Sequence, residues 1–95
     1  MAEVAQAKLA ELTGRLDVLQ GILEERRAQD EQWGGPAHDD SHTSAHWHDL
    51  LHEHLYRSWS VVGAGSDEYR QELVKIAAIA VAAVESFDRR QGRHG

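Results

Sequence analysis

Pro36 is the sole proline in a chain of 95 residues, and it follows directly on Gly34 and Gly35. Proline lacks the amide proton a helix needs and glycine loses the most backbone freedom on folding, so this triplet stops a helix. Gly63-Ala64-Gly65 makes a second such break. The stretches between them are long and carry helical rather than alternating periodicity. The chain is therefore expected to be a single all-α domain over 1–95. It divides into a long N-terminal helix over 1–33, a loop over 34–42, a second helix over 43–62 and a third, buried helix over 66–90.

Each helix carries its own packing instruction. Leu9, Leu12, Leu16, Leu19 and Leu23 recur at alternating steps of three and four, the narrow seam by which one helix packs along another. A helix of that length reaches roughly 45 Å at about 1.5 Å per residue, more than a compact domain of this size uses. Gly14 and Gly21 weaken it by about 1 kcal/mol each relative to alanine. In the second helix Trp47, Leu51, Leu55, Trp59 and Val62 mark an apolar face, with Leu50 and Val61 at its margin and Thr43 or Ser44 as the N-cap. Ser66-Asp67-Glu68 starts the third helix, and between Leu73 and Val84 its only polar residue is Lys75. A helix that apolar needs cover on several sides. The expected architecture is thus a long helix plus a two-helix hairpin, packed as an oligomeric helical bundle, most simply a homodimer.

Composition removes several function classes. The net charge of −6 supplies no basic patch for phosphate backbones, which argues against DNA, RNA and anionic membranes as partners. Without cysteine there is no disulfide or thiol chemistry, and any metal site must be built from His, Asp or Glu. The N-terminus has no secretory pattern and the longest apolar run is short and alanine-rich, so a cytoplasmic protein is expected.

All but one of the seven histidines fall between His38 and His54. Placed at 100° per residue, His46, His52, Glu53, Tyr56 and Arg57 lie on the polar side of the second helix, and His48 lies at the rim. His54 alone enters the apolar stripe, where a hydrogen-bonded core histidine is commoner than a metal ligand. His48-Asp49-Leu50-Leu51-His52 copies the i,i+4 histidines of a zinc-protease motif, but Asp49 is too short for the general base and no third ligand follows. A solvated helix face is the plainer account of these pairs, and of His42 with His46. Neither a Ser-His-Asp arrangement nor a strand-borne phosphate loop is present.

Three segments, spread from Glu24 to Arg90, resemble the MazG-like branch of the all-α nucleotide pyrophosphohydrolases, small proteins of bacteria and phages. They are Glu25-Arg26 through Gln29-Asp30 to Trp33-Gly34; His46-Trp47 through Leu50-Leu51 to Glu53; and Tyr69-Arg70-Gln71-Glu72-Leu73-Val74 through Ile76-Ala77-Ala78 to Val84-Glu85-Ser86. His38-Asp39-Asp40 with His42 is similar to a loop of related phage proteins. The resemblance implies a site in which carboxylates on two helices hold Mg²⁺ against a nucleoside triphosphate. Glu53 matches the first glutamate of the metal motif and Glu72 is kept on the third helix. His54 stands for the second glutamate, Arg57 for the third, and Lys75 for the acid one turn after Glu72.

Glu53 and Glu72 are the expected catalytic residues if activity survives, with Arg57 and Lys75 as phosphate-binding cations. Glu53, His54 and Glu72 are the candidate metal ligands. Imidazole beside carboxylate suits Zn²⁺ or another transition metal better than Mg²⁺. The expected function is a MazG-like protein with an altered, non-catalytic site that binds nucleotide or phosphate. Alternatives are an active Mg²⁺-dependent pyrophosphohydrolase recruiting Asp39, Asp40, Glu24 or Glu25, a transition-metal binder, and a structural or adaptor protein that oligomerises through its leucine seam.

Overall fold

A computed structural model describes residues 2–61 and 67–92. The expected break at 63–65, the cap at Ser66 and the contribution of Val62 lie outside the described residues. Within them the chain is all-helical, in the order α1 (Ala2–Trp33), α2 (Pro36–Asp40), α3 (Ser44–Val61) and α4 (Asp67–Arg90). No helix is long and apolar enough to cross a membrane among the described residues.

The first break is sharper than a loop. Gly34 and Gly35 take positive φ values of 107° and 72°, a region side chains other than glycine rarely enter. Pro36 then opens the short helix α2, its fixed φ suiting a first helical position. The segment expected as a loop over 34–42 therefore contains one helical turn, with Ser41 and His42 donating backbone hydrogen bonds to the carbonyls of His38 and Asp39. Thr43 caps α3: its Oγ1 accepts from the His46 amide at 3.2 Å, while His46 Nδ1 accepts from the Thr43 amide at 3.3 Å. This reciprocal pair has the form of a capping box with histidine in the glutamate position. It also fixes His46 as the tautomer protonated on Nε2.

Each of α1, α2 and α3 packs on α4. The contact face of α4 is small: Ala78, Ile79, Ala82 and Ser86 are buried, and alanines let neighbouring helices come close. The buried side of α3 runs through Trp47, Leu51, His54, Ser58 and Val61. This corrects the expected apolar face, because Leu55 and Trp59 point to solvent and Ser58 is the buried member of that turn. Ser58 satisfies its hydroxyl by donating to the Leu55 carbonyl at 2.6 Å, which is how a serine can be buried against α4.

The core is meagre. Among the described residues Ala78, Ile79 and Ala82 are the only buried apolar ones, and Leu73, Val84 and Phe87 of α4 are exposed. The third helix is expected to find the rest of its cover in a second copy of the chain; within one chain it is buried at Ala78, Ile79, Ala82 and Ser86. Residues 2–20 of α1 are exposed throughout. The radius of gyration is 16.2 Å, against about 13 Å for a compact chain of this length. The projecting half of α1 accounts for the difference.

Candidate functional site

The second half of α1, α2, the face of α3 and the floor of α4 enclose an open groove of about 720 Å³. Glu53, His54, Arg57 and Lys75 all line it, together with Glu25, Arg26, Asp39 and Asp49. Glu72 is not in the lining; it stands behind His54. The arrangement thus brings four of the five motif residues to one surface and places the fifth as their support.

Each of the two acids is matched by a cation one turn along its own helix. Arg57 Nη2 donates to Glu53 Oε1 at 2.7 Å, with both side chains more than half exposed. Lys75 Nζ lies 3.9 Å from Glu72 Oε1, a looser pair. On its other oxygen Glu72 accepts from His54, whose Nδ1 lies 3.4 Å away, and both side chains are only 17% exposed. Since an ionised carboxylate only accepts, the ring donates from Nδ1. The edge left to the groove is then the Nε2 edge.

The opposite end of the groove is aromatic. Trp33 and His38 face one another at 21° with ring centroids 6.2 Å apart. His42 lies tilted on Trp47 at 4.7 Å and edge-on to His38 at 4.8 Å. His42 Nδ1 donates to the His38 carbonyl at 3.1 Å, so this histidine of the sequence cluster is a packing group. His48 and His52 sit with ring centroids 4.9 Å apart on the exposed side of α3.

Asp39 and Asp40 hold the groove together. Arg26 is buried and reaches three carboxylates: Asp30 at 3.1 Å, Asp39 at 3.5 Å and Glu85 at 3.2 Å. Burial pushes the Asp39 carboxyl above its ordinary value, although Arg26 pulls the other way. Asp40 accepts from Ser86 Oγ at 2.7 Å and from Arg89 Nε and Nη2 at 3.2 and 2.8 Å. Arg90 donates to the backbone carbonyls of Asp40 and His42. Together these bonds latch α2 to both α1 and α4. Sequence reasoning missed the latch because Arg26 and Asp39 sit on different helices 13 residues apart and the partners on α4 lie 46 to 59 residues away.

The Arg89 and Ser86 hydrogen bonds hold the Asp40 carboxyl below its ordinary value of 3.8. A depressed carboxylate stabilises the fold fully above that value and loses its contribution as pH falls through the folded pKa. The stability gap between the natural protein and Asp40→Asn is therefore widest at neutral pH and closes on acidification below pH 3.8. Asp39, shifted the opposite way, opposes this in the wild-type slope, so the comparison between the two proteins is the readout. Urea unfolding from pH 7 to pH 2.5 measures it, and a gap that does not change with pH excludes the latch.

The donor set does not fit Mg²⁺. A hard cation needs several carboxylate or carbonyl oxygens at short range, yet Glu53, Glu72, Asp39 and Asp40 each already face a lysine or arginine. One unit charge about 4 Å away is worth about 4 kcal/mol at an effective dielectric near 20. A divalent ion would have to displace these cations first. Among the described residues no group of three or more His, Asp or Glu is placed to hold a metal ion. Comparison with known proteins finds no matching family model, no matching curated protein and no matching solved structure.

Proposed function

We propose that this chain is a MazG-like protein whose groove binds a nucleotide without hydrolysing it, and that it works as a homo-oligomer. The observation that carries the binding half is the convergence of Glu53, His54, Arg57 and Lys75 on one open groove. Had these charges paired in a dry cluster, a structural role would be the better account. Arg57 is instead more than half exposed and Lys75 is loosely held. The flat rings of Trp33, His38 and Trp47 at the other end suit a base, and the volume suits a nucleotide. The absence of hydrolysis is supported by the pairing of each candidate ligand with a protein cation. Self-association is supported by the exposed leucine seam and by the small core.

Titration calorimetry against a panel of nucleoside mono-, di- and triphosphates tests the reading, alongside a pyrophosphate-release assay with Mg²⁺ and Mn²⁺. The expected result is saturable heat with at least one nucleotide and no release. Lys75→Ala weakens binding roughly tenfold, the worth of one charge-assisted hydrogen bond to phosphate. Silence with every ligand sinks the proposal. Pyrophosphate release that disappears in Glu72→Ala establishes the active enzyme in its place.

A further inference from the structure

We infer that Arg57 and Lys75, two protein cations of the groove, replace the bridging metal, so that the ligand is a polyphosphate anion taken up free of Mg²⁺. This rests on the nucleotide reading above and adds to it the form in which the ligand binds. One local design occurs on both helices. On α3 an acid is followed by a cation at i,i+4, Glu53 with Arg57, and on α4 an acid is followed by a cation at i,i+3, Glu72 with Lys75. Both cations line the same groove. A residue one turn further along a helix lies on the same face, so each cation projects beside its acid.

The two pairs are unequal in a useful way. Arg57 is oriented by a 2.7 Å hydrogen bond from Nη2, and a guanidinium has five N–H donors in all, in a planar fork that matches phosphate oxygens. Lys75 is an ammonium 3.9 Å from its carboxylate, close enough to be steered and far enough to swing to an incoming anion. Glu72 is drawn to the opposite side by His54, which leaves Lys75 the weaker of its two contacts. A phosphate entering here meets the N–H donors of Arg57 and Lys75, each steered by its own carboxylate, where a site of acids alone would first need an ion. Mg²⁺ brings no ligand oxygens with it from the protein, and by complexing the free polyphosphate it lowers the charge on which recognition depends.

The test uses the full chain with ATP and with inorganic tripolyphosphate, each titrated in EDTA and in excess Mg²⁺ at constant ionic strength. Binding in EDTA that weakens on adding Mg²⁺ is the expected result. Arg57→Met and Lys75→Met should each lower affinity in EDTA roughly tenfold. Circular dichroism confirms that these surface variants remain folded. The double variant Arg57→Glu, Lys75→Asp returns acids to both helices, and its binding should become dependent on Mg²⁺. If the natural protein binds ATP only with Mg²⁺, the inference is overturned while the nucleotide reading stands. If neither ligand binds under either condition, both fall.

Discussion

Replacing Arg26 by alanine lowers the unfolding free energy by about 3 kcal/mol, the loss expected when one partner of a buried ion pair is removed. Arg26 is 8% exposed and ties α1 to Asp39 of α2 and Glu85 of α4. Without it Asp39 keeps its desolvation, already enough to raise its pKa, and loses the guanidinium that offsets it. Against a total stability of about 5–15 kcal/mol, this is a large fraction. It corresponds to a fall in melting temperature of more than about 10 °C for a domain of this size. Arg26→Lys should recover only part of the loss, because an ammonium cannot span three carboxylates as the planar fork does. A melt of Arg26→Ala within two or three degrees of the natural protein would show that the cluster contributes little.

The second large effect concerns α1. With Leu12 and Leu16 both changed to lysine, the protein should sediment at the mass of one chain at concentrations where the natural protein sediments as an oligomer. Leu9, Leu12, Leu16, Leu19 and Leu23 are between 49% and 64% exposed. Burying what remains of each is worth about 1 kcal/mol. Five leucines from each of two copies then reach the range of about 4–15 kcal/mol that association costs. The same substitutions should lower helicity, since a helix with nothing packed on it is marginal in water. If natural protein and variant both run as single chains with equal helicity, the seam is not an interface.

Helix type and the break at Gly34-Gly35-Pro36 were legible in the sequence because they are local. Glycine and proline act on their own backbone, and a three-to-four periodicity needs only its own helix. Short α2 was not legible: one turn is too brief for periodicity, and its four-residue polar run His38–Ser41 reads as loop. The misplacement of Leu55 and Trp59 has a different origin. A helical wheel ranks faces by hydrophobicity, but α3 packs on α4, and its less exposed face is the one carrying Ser58 and His54. For the site, Glu53, His54, Arg57 and Lys75 could be named from resemblance and i,i+4 spacing. The role of Glu72 as the support of His54 could not, because it depends on how α3 and α4 are set side by side. The aromatic end likewise joins Trp33 of α1 to His38 of α2 across the glycine turn.

The dependence of every helix on α4 has a consequence for how the chain acquires its structure. Helix α4 is the last of the four to leave the ribosome, yet among the described residues the buried apolar ones, Ala78, Ile79 and Ala82, all lie on it. Until Arg89 and Arg90 emerge, Asp40 has no latch, and until Glu85 emerges Arg26 has only acids of its own end of the chain. During synthesis the leucine seam of α1 is therefore exposed well before the groove exists. On the proposed self-association, neighbouring nascent chains on one message would meet through that seam first and complete their own folding afterwards, with assembly preceding folding.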